Sequence, residues 1–161
     1  MKMNMGRREW EEVGQRMGTV LVIDDDRDIR GLLRYTLQEE GWAVLEAADG
    51  REGLDRLRAT DEPLVALLDY RMPRMDGLDV LRAVAANKSL ALRHAYVLIT
   101  ANPYSLPPAL PELAGELGVP IMGKPFDLDD LCARIQHAHV GLAARHVSGG
   151  AGWRPLSGRC A

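Results

Sequence analysis

Five short apolar segments recur along the chain, and each is followed by a stretch whose apolar residues have helical spacing. The apolar segments are Thr19–Ile23, Trp42–Ala47, Leu64–Leu68, Ala95–Ile99 and Val119–Met122. Short runs of this kind, bounded by turn residues, are typical of strands that are buried on both faces. The alternation predicts an α/β fold with a single doubly wound (βα)5 domain, in which right-handed crossovers place helices on both faces of a parallel sheet.

The helical segments have apolar faces and recognisable ends. The first helix is expected to bury Ile29, Leu32, Leu33, Thr36 and Leu37. The segment after the fourth strand contains four prolines between residues 103 and 111. Because proline interrupts helices, only a shortened fourth helix, Ala109–Leu117, is expected there. Asp127 is an expected N-cap of the last helix.

Length and composition limit the domain organisation. A chain of 161 residues with 47% apolar content supports one packed domain. We expect that domain to span residues 19–140, after a loosely ordered extension at residues 1–18 and before a flexible tail at residues 141–161. Met1 and Met17 are both candidates for the natural start, because the first strand begins just after Met17.

Charge and apolar run length restrict the partners. The net charge of −3 and the pI near 5.8 give no bulk attraction to nucleic acid or anionic membranes. No apolar run is long enough to span a bilayer, and the first 18 residues lack the apolar core of a secretory signal. Cys132 and Cys160 form no Cys-x-x-Cys pair, which fits a reducing compartment. We expect a cytoplasmic monomer or weak dimer that binds neither nucleic acid nor membrane directly.

Polar residues follow four of these strands. Asp24 and Asp25 follow the first strand, Asp69 the third, Thr100 the fourth and, after one glycine, Lys124 the fifth. Because the carboxyl ends of parallel strands meet at one edge of a sheet, these residues should share one crevice. Three adjacent carboxylates repel one another unless a cation lies among them. Oxygen ligands of this kind suit Mg²⁺.

This combination of residues suits phosphoryl transfer to a carboxylate. Asp69 would attack in line, while Lys124 and Thr100 would hold the phosphoryl group. Taken alone, each residue has an ordinary structural explanation, since an Asp after a strand is commonly a helix N-cap and Lys-Pro is commonly a turn. Their joint occurrence at strand ends favours the functional interpretation.

The order of these motifs resembles the CheY-like receiver domain of two-component response regulators. The resemblance rests on Asp24-Asp25, on Asp69 with Met72-Pro73 and Met75-Asp76-Gly77, on Thr100-Ala101, and on Lys124-Pro125-Phe126. It extends from about residue 19 to about residue 139. It implies the flavodoxin/CheY-like strand order 2-1-3-4-5.

The resemblance also implies a metal site and a phosphoacceptor. Asp69 would accept the phosphoryl group. Asp25 and Asp69 would bind Mg²⁺ (or Mn²⁺) directly, and Asp24 would bind it mainly through water. The backbone carbonyl of Arg71 would complete the protein ligands.

Three further positions would contact the phosphoryl group. Thr100 would bond one of its oxygens, the backbone of Ala101 would contact it, and Lys124 would pair with its charge. The Lys124–Pro125 bond would be cis, which an X-Pro bond permits at modest cost. Family members usually carry an aromatic residue at the position of Ile121, where its movement reports phosphorylation, and an isoleucine cannot provide that ring.

The remaining titratable residues have simpler explanations. The four histidines show no metal-ligand spacing and are expected on the surface: His94, His137, His139 and His146. Asp79, Asp129 and Asp130 are expected in the first turns of helices, where the helix dipole favours acids.

These observations lead to one expected function and two alternatives. We expect a stand-alone receiver that takes a phosphoryl group from a histidine kinase or phosphotransfer protein and switches a protein–protein surface. It would be no enzyme beyond its own aspartyl phosphorylation and dephosphorylation. One alternative is a haloacid-dehalogenase-like phosphatase using Asp24-Asp25-Asp26, although such enzymes have Thr or Val at the position of Asp28. The other is a pseudo-receiver that binds partners without phosphorylation.

Overall fold

The computed structural model describes residues 17–148. Residues 1–16 of the expected extension and residues 149–161 of the expected tail, which include Cys160, lie outside the described residues. Met17 is described: its N–H donates to the carbonyl of Gly41 at 3.1 Å. That bond ties the start of the described chain to the turn before the second strand.

Five strands form one parallel sheet in the order β2-β1-β3-β4-β5. The strands are β1 (Thr19–Ile23), β2 (Ala43–Ala47), β3 (Val65–Asp69), β4 (Ala95–Thr100) and β5 (Ile121–Gly123). Two of them, β1 and β4, begin where the sequence predicted, whereas β5 begins two residues later. The predicted fold class and strand order are confirmed.

Six helices accompany the sheet in residues 17–148. They are α1 (Arg27–Glu39), α2 (Gly50–Ala59), α3 (Gly77–Ala85), α4 (Lys88–Arg93), α5 (Ala109–Leu117) and α6 (Leu128–Ser148). The short helix expected after the proline-rich segment is α5, and its bounds match the prediction. It is the fifth helix because α4, a six-residue helix capped by Asn87, was not foreseen.

The core consists of two apolar layers, one on each face of the sheet. On one face, α2, α3, α4 and α5 pack against alternate residues of the strands. On the other face, α1 and α6 pack against the intervening residues. This division follows from the two-residue side-chain period of a strand and places helices on both sides of the carboxyl edge.

Two expectations about the helices were wrong in detail. Leu32 is 55% exposed, because the buried side of α1 is formed by Leu33 and Leu37 one residue further along the helical period. Helix α6 continues to Ser148, so the expected domain boundary at residue 140 falls inside it. Leu142 is buried in the apolar layer shared with α1, which accounts for the continuation.

The expectation that all four histidines lie on the surface was wrong for His94, which is fully buried. Its Nδ1 accepts the N–H of Leu64 at 3.2 Å, and its Nε2 lies 3.0 Å from the carbonyl of Leu57. These two contacts require the tautomer with hydrogen on Nε2. His94 therefore joins the end of α2 to the start of β3.

None of the helices within residues 17–148 is both long enough and apolar enough to cross a membrane.

Candidate functional site

The carboxyl edge of the sheet brings the predicted acids together. Oxygens from Asp24, Asp25 and Asp69 all lie within 4.8 Å of one another. The Nζ of Lys124 lies 3.2 Å from Asp69 Oδ1 and 3.5 Å from Asp24 Oδ2. Asp24 and Asp69 are buried, whereas Asp25 is exposed. The site therefore combines two buried carboxylates, one accessible carboxylate and one ammonium group.

Several contacts fix Asp24 at the end of β1. Its N–H donates to the carbonyl of Ala47 at 3.2 Å, and its Oδ1 accepts the N–H of Asp26 at 2.9 Å. Its carbonyl accepts Nη1 of Arg30 at 2.7 Å. Sequence reasoning missed Arg30. A signal was present, because a long side chain in the first turn of a helix points back toward the helix N-terminus.

The acids perturb one another and the lysine. Burial, with the neighbouring charge of Asp24 second, raises the pKa of Asp69 to about 6. Burial also raises the pKa of Asp24 above its ordinary value. For Lys124, burial alone would lower the pKa, but the charges of Asp69 and Asp24 outweigh it and raise the pKa. Shifts of this kind are typical of clustered acids at a functional site.

The loop after β3 is held close behind Asp69. The N–H of Gly77 donates to the carbonyl of Tyr70 at 2.8 Å. A Cβ at position 77 would lie 2.8 Å from the carbonyl oxygen of Asp69 and 2.9 Å from Cα of Tyr70. Both are backbone atoms, so only glycine permits this approach. The Met75-Asp76-Gly77 turn therefore helps to set the position of Asp69.

Thr100 ends β4 inside the same edge and is buried. Its Oγ1 accepts the N–H of Asn102 at 3.3 Å, so its own hydrogen remains available for donation. The N–H of Lys124 donates to the carbonyl of Thr100 at 2.7 Å, which joins the ends of β4 and β5. The Lys124–Pro125 bond is cis, as expected. The half-buried Ile121 packs against the apolar layer of α2–α5.

Two predicted contacts depend on backbone atoms of neighbouring loop residues. Arg71 lies two residues after Asp69, and Ala101 directly follows Thr100; both have exposed side chains. The metal contact of the Arg71 carbonyl and the phosphoryl contact of Ala101 stay predictions.

The residues present fit a hard divalent cation. The donor atoms are all oxygens, and their close spacing combines with raised carboxyl pKa values. A cation placed among them would reduce the repulsion between the carboxylates and compensate for the loss of solvent around the buried ones. Asp24, Asp25 and Asp69 would hold it.

The family model of the response regulator receiver domain matches residues 20–136 of this chain. The chain belongs to that family. The match includes both strand-end acids of β1, Asp69, Thr100 and Lys124, so every side chain of the candidate site lies inside it.

Individual relatives agree with this assignment. Response regulator MprA of Mycolicibacterium vanbaalenii is 39% identical over 129 residues, which cover 73% of this chain and 48% of that protein. The chain thus spans about half the length of this curated relative. A CheY-like receiver domain protein from Methanospirillum hungatei has a TM-score of 0.70 at 30% identity, covering 80% of this chain and 99% of that one.

A third relative is relevant to the metal. Response regulator TrrA of Thermotoga maritima, solved in complex with Mg²⁺-BeF, has a TM-score of 0.62 at 27% identity. The alignment covers 75% of this chain and 98% of that one.

The structure disfavours the phosphatase alternative. An Asp-x-Asp nucleophile and acid would require Asp24 and Asp26 to face the same site. Asp26 is instead exposed, and its side chain accepts the N–H groups of Asp28 and Ile29 as the N-cap of α1. The third acid of the cluster is Asp69.

Proposed function

We propose that this receiver domain is a phosphorylation switch that accepts a phosphoryl group on Asp69 from a histidine kinase or histidine phosphotransfer protein. The observation that carries the proposal is the partly buried contact of Asp69 with Lys124 inside the three-acid cluster. A structural ion pair would not need two further carboxylates within 4.8 Å. A site that binds a cation and a phosphoryl group needs such additional carboxylates as metal ligands.

The chemistry follows from the side chains. With a pKa of about 6, Asp69 is mostly ionised at neutral pH and can act as a nucleophile. One of its oxygens forms the new bond to phosphorus while the bond from phosphorus to the donor nitrogen breaks. The electron pair leaves with the donor imidazole, which takes up a proton. Lys124 and the Thr100 hydroxyl then bind oxygens of the transferred group.

A divalent cation completes the site. When bound, Mg²⁺ neutralises charge on the phosphoryl oxygens. The all-oxygen donor set suits Mg²⁺, with Mn²⁺ as a substitute, and the Mg²⁺-BeF complex of TrrA supports the same choice. Asp25 is the accessible ligand through which the cation would enter.

The output is proposed to be a contact with another protein. Phosphorylation at Asp69 would stabilise one arrangement of the Thr100 loop and of the surface around β5. We propose that these residues act as a receiver in the cytoplasm, as a monomer or weak dimer, and without direct contact to nucleic acid. No turnover of an external substrate is proposed. The negative net charge supports a protein partner over nucleic acid.

Beryllofluoride, a mimic of the phosphoryl group, tests this proposal. Amide resonances of the wild-type protein should shift on addition of beryllofluoride with Mg²⁺, and much less with either alone. Lys124→Met and Thr100→Val should weaken the response, whereas Asp76→Asn, a cap acid in the same loop, should leave it intact. No response from a folded wild type would favour the pseudo-receiver alternative. Hydrolysis of a generic phosphate ester that is lost in Asp24→Asn but kept in Asp69→Asn would favour the phosphatase.

A further inference from the structure

Arg30 lies in the first turns of α1 and reaches back to the site. Its Nη1 donates to the backbone carbonyl of Asp24 at 2.7 Å. Its Nε lies 3.4 Å from Oε1 of Glu46, an ion-pair distance without hydrogen-bond geometry. The Arg30 side chain is only 15% exposed, so this contact is largely shielded from solvent. Glu46 on β2 thus holds the guanidinium against the end of β1.

The bonded carbonyl belongs to the peptide unit that joins Asp24 to Asp25. Because a peptide unit is planar, fixing its carbonyl oxygen also fixes the direction of the next N–H and Cα. The Arg30 contact therefore controls how the chain enters Asp25.

Asp25 depends on this backbone control. Within residues 17–148, its carboxylate makes no hydrogen bond and no ion pair that would hold it in place. It is nevertheless close to two buried carboxylates that repel it. Without a side-chain partner, its position in the cluster is set by the peptide unit that Arg30 holds.

We propose that Arg30 is a positioning residue that orients the Asp24–Asp25 peptide so that both acids can bind a divalent cation. The proposal rests on the cation site of the proposed function. Partners that orient metal ligands from behind commonly change metal affinity when they are removed.

The sign of the expected effect separates positioning from electrostatics. Arg30 is a cation near a cation site, so removing its charge alone would strengthen Mg²⁺ binding. Removing its hydrogen bond to Asp24 would weaken Mg²⁺ binding. Weaker binding in folded Arg30→Met therefore cannot come from the lost charge and indicates lost orientation.

The test compares Arg30→Met with Arg34→Met in an Mg²⁺ titration of the whole chain followed by NMR. Arg34 lies one turn further along α1 and binds the same Glu46 at 2.9 Å. Neither a hydrogen bond nor an ion pair links it to Asp24 among the described residues, so it is a matched control. We expect the Mg²⁺ dissociation constant to rise about ten-fold in Arg30→Met and to change less than about two-fold in Arg34→Met.

A second readout needs no metal. The N–H of Asp26 donates to Asp24 Oδ1, so rotation of the Asp24–Asp25 peptide should weaken that bond. Amide hydrogen exchange at Asp26 in the metal-free protein should be faster in Arg30→Met than in wild type and unchanged in Arg34→Met. Arg30→Lys keeps the positive charge but lacks the planar guanidinium that reaches both the Asp24 carbonyl and Glu46. We therefore expect Arg30→Lys to weaken Mg²⁺ binding too, but by less than Arg30→Met. If Arg30→Met does not fold, Arg30→Lys takes its place in both measurements.

Unchanged or tighter Mg²⁺ binding in folded Arg30→Met would overturn the proposal, and so would an equal loss in Arg34→Met. If the wild type binds no Mg²⁺, the proposed function fails, and the exchange measurement alone decides on Arg30. Equal exchange at Asp26 in wild type and variant would then show that Arg30 does not order this loop.

Discussion

At the scale of single residues, the acid cluster lowers the stability of the metal-free protein. Asp69 is 7% exposed and lies near two further acids, and its pKa is about 6 instead of 3.8. Because the folded protein binds this proton more tightly than the unfolded chain does, stability falls as pH rises from about 4 to 6. The ion pair of Lys124 with Asp69 offsets part of this destabilisation.

Replacing Asp69 by Asn should therefore stabilise the metal-free protein. At pH 7 we expect the free energy of unfolding to rise by about 1 to 2 kcal/mol, since one pKa unit corresponds to about 1.4 kcal/mol and Lys124 loses a partner. The gain should shrink as pH falls from about 6 to 4 and approach zero below about pH 3, where Asp69 is protonated in both states. Urea unfolding in EDTA at several pH values measures it.

Wild type and variant must be compared at the same pH, because His94 has the opposite pH dependence. A destabilised Asp69→Asn at pH 7, or a gain that does not depend on pH, would contradict the assigned environment of Asp69.

His94 is a structural residue at the opposite edge of the sheet. Burial lowers its pKa to about 4, so the neutral ring is favoured in the folded protein. Its stabilising contribution is fully present above about pH 6.5 and is lost as pH falls through the range from 6.5 to 4.

Replacing His94 by Phe should destabilise the protein at pH 7. The ring still fills the site, but the N–H of Leu64 loses its acceptor and the carbonyl of Leu57 loses its donor. An expected loss of about 2 to 4 kcal/mol in urea unfolding follows from two unpaired buried groups. The loss should be smaller near pH 4, and His137→Phe, on the exposed side of α6, should change stability by less than about 0.5 kcal/mol. A variant as stable as wild type would refute the two hydrogen bonds.

The contrast between these residues shows what sequence can reveal at this scale. The acids of the cluster and Lys124 were predictable because each lies at the carboxyl end of a strand or within two residues of it, and these strand ends meet at one edge. His94 was not, because its burial depends on where α2 ends and where α4 lies. Those positions result from tertiary packing, which the spacing of histidines does not encode.

At the scale of elements, α6 is the main departure from expectation. The sequence suggested a flexible tail from Gly141 onward, since residues 141–161 contain Gly, Ser and Arg but no acid. In the structure, Leu142 is buried, and Nη1 of Arg145 donates to the carbonyl of Ala91 at 3.2 Å. Nε2 of His146 lies 3.3 Å from the carbonyl of Arg93. These contacts join the end of α6 to α4, and tertiary packing overrides the local preference.

Leu142→Ala tests whether this part of α6 is structural. Leu142 is 1% exposed, so its truncation should cost about 2 to 4 kcal/mol of unfolding free energy. Val140→Ala is the control, because Val140 is 60% exposed two residues earlier in the same helix and should change stability by less than about 0.5 kcal/mol. Equal small effects in thermal or urea unfolding would mean that the helix end does not pack as described.

Helix α5 behaved as its sequence indicated. Four prolines at positions 103–111 leave residues 109–117 for the helix, and Gly118 ends it with a left-handed backbone at φ 67°. Prolines and a terminal glycine are local signals, so they set the ends of this helix without help from tertiary contacts. By contrast, α4 has only an Asn87 cap and six residues, which is too little periodicity to be detected in the sequence.

At the scale of the whole molecule, the sheet order followed from the alternation of strands and helices together with the family resemblance. All three acids that are predicted to bind the cation lie at the carboxyl edge of the sheet. They come together only when β1 and β3 are paired in the folded protein, so a cation would bind the folded state. The unfolded chain has no such arrangement.

Mg²⁺ should therefore stabilise the folded protein by mass action. Above the dissociation constant, each ten-fold increase in Mg²⁺ should add about 1.4 kcal/mol to the free energy of unfolding. Asp69→Asn should reduce this dependence, whereas Asp76→Asn should not. Thermal unfolding at constant ionic strength checks both, and a melting temperature that does not respond to Mg²⁺ would argue against the cation site.

The most direct measurement is the mass of the protein after incubation with acetyl phosphate and Mg²⁺, followed by localisation of the added group in peptides. Wild type should gain one phosphoryl group on the peptide that contains Asp69, and the bond should be labile in base. The gain should vanish with EDTA or in Asp69→Asn and persist in Asp76→Asn. A phosphoryl group on another residue, or one that persists in Asp69→Asn, would contradict the assignment of Asp69 as the acceptor.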